Sequence, residues 1–232
     1  MTADFTPTGP TLLHLNAWEQ LRAGRMWRRL IQLLIGLVGY GAAVMILVQS
    51  GLGAASWNVL TEGVARQTGM TFGWSTNVIA AVVLLAWIPL REMPGLGTLL
   101  NVCLVGLAAD WTAALLPAAD TPAAQIAYLA LGIVCLALFD ALYLGAQLGA
   151  GPRDGIMTGV TRATGQPVWR VRTCIEVVVA ASGWLLGGTL GIGTILVALC
   201  MGPLLGVLLP RTVVRLTVPV RPVGPGANSR LQ

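Results

Sequence analysis

Lysine is absent from this 232-residue chain: all fourteen basic residues are arginine, set against nine acidic ones, and charged residues make up only 10% of the total. A soluble domain carries about 25% charged residues. This chain cannot cover a globular surface with polar side chains, so lipid must be the solvent for much of it. Histidine occurs once, as His14 near the N-terminus, so no classical zinc site is expected. Cys103, Cys135, Cys174 and Cys200 lie in or near apolar runs without CxxC spacing, the pattern of thiols used as small apolar residues. No Gly-x-Ser-x-Gly, no His-Glu-x-x-His and no Cys–His pairing occurs, so neither an enzyme nor a cofactor is expected. The net charge of +5 does not imply nucleic acid, because the arginines gather at the ends of apolar runs.

What is present is apolar: 56% of the residues are hydrophobic. Six runs stand out, Leu30–Val48, Thr71–Leu90, Gly97–Leu116, Ala124–Ala146, Trp169–Leu186 and Ile192–Leu209. Each is near the roughly 20 residues that cross a bilayer as a helix. The runs are continuous rather than alternating, which disfavours a β-barrel. The first is longer than the roughly 7–15-residue core of a signal peptide and has no convincing cleavage site, so it reads as an uncleaved span. The expected fold class is an all-α membrane protein of six transmembrane helices. Residues 1–29 form an N-terminal tail in which Leu12 to Arg29 suits an interfacial helix, and residues 211–232 form a Pro/Gly-rich C-terminal tail. Six spans place Arg91, Arg153, Arg162, Arg170, Arg211, Arg215, Arg221 and Arg230 on the same side as Arg22, Arg25, Arg28 and Arg29, leaving only Arg66 in an outer segment. That asymmetry predicts both termini in the cytoplasm.

The chain also repeats itself. Shifting it by 96 residues aligns 52–106 with 148–202 without a gap, and 17 of the 55 positions are identical, against about 5 expected from composition. Residues 30–117 and 118–210 are therefore read as two three-span repeats. An odd number of spans per copy predicts inverted halves, an arrangement common in transporters and channels. Each copy opens on a charged or polar interruption, LGAASWNVLTEGVARQTG from Leu52 and LGAGPRDGIMTGVTRATG from Leu148.

Each interruption reads as a loop and a short helix that either lies on the membrane surface or re-enters it. Ser56 or Asn58 in the first copy and Asp154 in the second are candidate N-caps. Gly69 and Gly165 suit left-handed C-caps. If both helices re-enter, their N-termini offer N–H groups to an anion. Candidate pathway residues are Gly151, Pro152, Arg153, Asp154, Trp57 and Asn58. A buried polar shell is expected from Asp140, Asn101 and the i, i+4 pair Arg172 and Glu176, which are spaced to form a mutual ion pair. Asp140 suits either a structural ion pair or a proton relay. The paired Gly-x-Gly-Thr motifs at Gly95 and Gly191 suit close helix crossings.

Gly149-Ala150-Gly151-Pro152-Arg153-Asp154-Gly155, Val171-Arg172, Ile175-Glu176, Gly183-Trp184-Leu185-Leu186-Gly187-Gly188, Gly191-Ile192-Gly193-Thr194 and Pro94-Gly95-Leu96-Gly97-Thr98 together resemble the YczE branch of the YczE/YyaS/YitT family of bacterial membrane proteins. The resemblance covers roughly Gly51 to Pro210. It implies a multi-pass bacterial inner-membrane protein and names no biochemical activity. The family pattern reads Pro-Trp-Asp where this chain has Ser56-Trp57-Asn58, so a charge-dependent role at Asn58 is not carried over. The expectation is a small-solute transporter, permease or channel-like protein with a pathway between the repeats. The alternative is an accessory protein that scaffolds a partner membrane complex. The expected partners are the bilayer and an unidentified small solute, with an anion as one option. A homo-oligomer is compatible with this reading.

Overall fold

The computed structural model describes Gln20 and residues 23–90, 92–149, 151–214 and 216. Most of the expected interfacial helix and of the C-terminal tail falls outside the described residues. Within them the chain is helical, without strands. The helices are α1 (Met26–Gln49), α2 (Ser56–Thr68), α3 (Phe72–Leu85), α4 (Trp87–Leu90), α5 (Leu96–Leu115), α6 (Pro122–Gly145), α7 (Pro152–Thr164), α8 (Val168–Leu185) and α9 (Ile192–Thr212).

Five segments are long and apolar enough to cross a membrane: α1, α3 with α4 as Phe72–Leu90, α5, α6 and α9. Their outward faces carry exposed apolar side chains such as Trp111, Leu115, Ile126, Val134 and Leu199, as a lipid-facing surface requires. The chain is thus an integral membrane protein. The expected fifth span coincides with an 18-residue helix, α8, which Arg170, Arg172 and Glu176 keep outside that set.

Threonines start two of these helices. The Thr71 hydroxyl accepts from Trp74 N–H at the head of α3, and Thr121 accepts from Ala124 N–H at the head of α6, with Pro122 at the first helical position.

The centre is the crossing of α1 and α6, flanked by α5 against α1 and α9 against α6. Glycine permits the close approach. A Cβ on Gly36 would lie 2.7 Å from the Tyr143 nitrogen, and one on Gly132 would lie 2.6 Å from Leu47 Cγ. These two contacts are related by the repeat shift, since 132 − 36 and 143 − 47 both equal 96. Leu33, Leu37, Val105, Tyr143 and Leu148 fill one side of the crossing. Val44, Leu47, Leu129, Leu136 and Val197 fill the other.

The short helices exchange partners between halves: α2 packs on α8, and α7 packs on α3 and α4. At the first contact Gly183 meets the backbone of Val59 and Leu60, and at the second Gly155 meets the Trp87 ring. The shift relates Val59 to Gly155 and Trp87 to Gly183. Large and small residues have thus traded places at equivalent contacts, keeping each filled.

One pair of contacts is unequal. Helices α3 and α5 pack along each other. A Cβ on Gly106 would lie 2.1 Å from Asn77 Oδ1, and one on Gly73 would lie 2.0 Å from the Gly106 oxygen. Asp110 closes the same seam, accepting from the Thr71 hydroxyl at 2.6 Å and from Gly73 N–H at 2.7 Å. The corresponding α8 and α9 do not pack along each other in this way. Gly202 and Gly206, the counterparts of Gly106 and Asp110, have open space where a Cβ would go, with nothing within 4 Å.

Candidate functional site

Each interruption opens where a long helix ends. Helix α6 stops at Gly145, and Gln147 takes a left-handed conformation at φ 53°. Arg29 of α1, fully buried, holds this break: Nε donates to Ala146 O at 2.9 Å, Nη2 to Gln147 O at 2.7 Å, and Nη1 to Gln20 O. Gln147 Nε2 in turn donates to Val214 O at 2.9 Å. These bonds satisfy carbonyls that a broken helix would otherwise leave bare in a low-dielectric setting.

The Leu-Gly-Ala stretches then dock on the opposite half. Gly97 N–H donates to Leu148 O at 2.7 Å, and Gly193 N–H donates to Leu52 O at 2.8 Å, two bonds related by the repeat shift. Thr98 and Thr194 hydroxyls accept from Gly95 and Gly191 N–H within their own motifs. Side chains are excluded at these junctions, since a Cβ on Gly53 would lie 2.6 Å from the Gly191 nitrogen and one on Gly193 would lie 2.3 Å from the Gly53 oxygen. The Gly-x-Gly-Thr motifs therefore serve close backbone approach, here between a helix start and the other half's interruption.

The two short helices are both 13 residues long and end on left-handed glycines, Gly69 at φ 71° and Gly165 at φ 66°. Their starts differ from expectation. The N-caps are Ala55 and Gly151, and neither gives a side-chain cap. Asn58 and Asp154 fall in the first turn instead. Asp154 folds back so that its Oδ2 would lie 3.3 Å from a Cβ placed on Gly151. Asn58 is buried, and its amide nitrogen has no hydrogen-bond partner. At the other end Arg66 donates to Gly187 O and pairs with Glu62, while Arg162 donates to Leu90 O and pairs with Glu92. Each short helix is thereby tied at its C-terminal turn to the opposite half.

The N-terminal ends of both short helices face one cavity of about 460 Å³. Gly151, Pro152, Arg153, Asp154, Trp57, Asp140, Arg172, Glu176 and Asn101 all line it, while Asn58 does not. The Arg153 guanidinium lies 5.2 Å from the centroid of the Trp57 ring, within cation–π range. These two residues are repeat counterparts that meet across the halves. Arg172 and Glu176 line the wall without closing the expected ion pair. Both described salt bridges, Glu62–Arg66 and Glu92–Arg162, lie outside the cavity.

Among the described residues, all five charged groups of this cavity come from the second half. Asp140, Arg153, Asp154, Arg172 and Glu176 correspond to Val44, Trp57, Asn58, Thr76 and Ala80 in the first. Trp57, Thr76 and Ala80 also line the wall, so the lining follows the repeat while the charge does not. Two phenols complete the site, Tyr40 on α1 and Tyr143 on α6. Tyr143 is 3% exposed and its hydroxyl has no partner. Sequence reasoning missed both. The available signal was that Tyr143 follows Asp140 by three residues, one helical turn along the same face.

A family of unknown function, DUF6198, matches residues 27–210. Over 168 residues the chain is 38% identical to an uncharacterised protein of Haemophilus influenzae, covering 72% of this chain and 76% of that one. It is 33% identical over 180 residues to the uncharacterised membrane protein YczE of Bacillus subtilis, covering 77% and 84% of the two chains. It is 25% identical over 181 residues to the uncharacterised protein YyaS of the same organism, covering 76% and 90%. No solved structure matches.

Proposed function

The chain belongs to DUF6198 and is a relative of YczE and YyaS, and from that premise we propose that it is a small-solute transporter of the bacterial inner membrane. Its six spans are the five apolar segments together with α8, whose charged residues Arg172 and Glu176 line the cavity. The two halves are inverted repeats, and both termini are cytoplasmic by the arginine asymmetry. Paired contacts at Gly36 and Gly132, and at Gly97 and Gly193, support the repeat reading.

One observation carries the function: a cavity at the junction of the halves is lined by five charged side chains, which on the six-span reading lie between spans. Such groups are costly away from water, and they mark solute or ion pathways. The site sits where discontinuous helices present their N-termini, as in transporters built from repeats. The seam between α3 and α5 is closed, whereas α8 and α9 stand apart beside the cavity. Access from one face at a time is what a carrier needs. Arg153, held over Trp57, is the group that attracts a solute's negative end.

The purified chain in proteoliposomes is expected to accumulate at least one solute from a panel of amino acids, organic acids and amines above the rate of protein-free vesicles. Arg153→Ala should lower that rate by about 10-fold or more, the effect of losing one charged hydrogen bond or ion contact. Background flux of every panel member with the wild-type protein would overturn the proposal.

A further inference from the structure

The cavity displays charge of both signs that is not paired off in salt bridges. Arg153 and Arg172 stand against Asp140, Asp154 and Glu176, and no salt bridge joins any two of them. A monoanion bound there would leave the carboxylates unmatched, and a monocation would leave the guanidiniums unmatched. An occupant carrying both signs offsets both, which matters most where water is scarce.

Asp154 shares the start of α7 with Arg153, and Arg172 shares α8 with Glu176, but Arg153 stands on a different helix from Asp140 and Glu176. Arg153 stands with the starts of α2 and α7, whose caps contribute no side-chain oxygen. The Ser56, Trp57 and Arg153 N–H groups there have no acceptor among the described residues. First-turn N–H groups and the helix dipole favour a carboxylate. The unpartnered Tyr143 hydroxyl would lie 3.3 Å from a Cβ on Gly151. A donor therefore stands beside the α7 N-cap. Asp140 on α6 and Glu176 on α8 approach the same space from other helices. The wall also carries apolar side chains, including Ile79, Val83, Leu136, Ile175 and Val197.

We propose that this cavity binds a small zwitterion of amino-acid size, its carboxylate held by Arg153, the α2 and α7 first turns and Tyr143, and its ammonium held by Asp140 and Glu176. The assignment rests on the transport reading of the same cavity and names its substrate class. A volume of about 460 Å³ admits such a molecule with an apolar side chain against Ile79 and Val197.

The test uses three compounds on one carbon skeleton: L-leucine, 4-methylpentanoate, which lacks the ammonium, and 3-methylbutylamine, which lacks the carboxylate. Glycine, L-alanine, L-serine and glycine betaine extend the zwitterion arm. Binding to the full chain in detergent is read by calorimetry and by saturable shifts in melting temperature. At least one zwitterion is expected to bind about 10-fold or more tighter than either singly charged skeleton, since each analogue strands a charged set. Arg153→Gln should shrink the preference over the amine, and Glu176→Gln the preference over the carboxylate, so each variant alters a different ratio. Equal or tighter binding of either singly charged compound overturns the class, as does binding of no zwitterion. Zwitterion binding without flux in proteoliposomes keeps the class and overturns transport. Flux of organic anions alone keeps transport and overturns the class.

Discussion

Gly106→Val is expected to abolish or severely lower recovery of folded protein, while Gly202→Val, the same substitution at the counterpart position, leaves stability nearly unchanged. The chemistry of the two changes is identical, and only the surroundings differ. At Gly106 the new Cβ would meet Asn77 Oδ1 at 2.1 Å and the Gly73 oxygen at 2.2 Å. The second is backbone, so no side-chain rotation relieves it, and α3 must move off α5. Overpacking of this kind costs about 1–3 kcal/mol and more when backbone is displaced. Loss of the two Asp110 hydrogen bonds at the same seam adds about 1–3 kcal/mol. At Gly202 nothing lies within 4 Å, and replacing a helical glycine recovers a few tenths of a kcal/mol of propensity. Size-exclusion profiles and melting temperatures in one detergent separate the two outcomes. Comparable losses at both positions would mean that α8 and α9 close on each other as α3 and α5 do.

Arg29→Met should be nearly as damaging, for an electrostatic reason that partly opposes itself. Removing a fully buried guanidinium relieves its desolvation cost, which argues for tolerance. Against this, Ala146 O and Gln147 O lose their donors at the end of α6, and Gln20 O loses a third. A buried carbonyl that loses its donor costs about 1–3 kcal/mol, so the loss should win by about 2–4 kcal/mol. The decisive comparison is Arg29→Lys. It keeps the charge but replaces a planar fork by a point donor on a different stem, so it is expected to restore less than half of the lost stability. Full rescue by lysine would show that charge alone matters, and that the three-carbonyl geometry does not.

Much of the fold was legible because lipid imposes a strong composition rule: continuous apolar runs and arginine at their ends. A break before α7 was legible too, since Pro152 cannot continue a helix, but α6 already ends at Gly145, ahead of Gly149 and Gly151. Local grammar misled at the caps. Ser56, Asn58 and Asp154 are good capping types, yet each lies inside its helix because the chain enters through Ala55 and Gly151. Spacing also misled for Arg172 and Glu176. An i, i+4 interval says that two side chains can meet, but nothing about a polar cavity that draws both away. Arg29 was hidden among Arg22, Arg25 and Arg28, all read as topology signals. Only the three-dimensional approach of α1 to the end of α6 singles it out. The cavity's repeat-related lining, by contrast, was written in the 96-residue shift.

Having every cavity charge on one half has an electrical meaning. With its carboxylates ionised, the second half presents three negative and two positive groups to the cavity, one formal negative charge in sum, and the matching first-half positions present none. Any displacement of that half through the transmembrane field does work on this charge, up to about 2.3 kcal/mol for a full crossing at 100 mV. A zwitterion leaves the sum unchanged, so filled and empty cavities feel the same pull. On the proposed transport reading, the membrane voltage would then bias which way the protein faces without driving its cargo. A proton taken up by one carboxylate would cancel that bias.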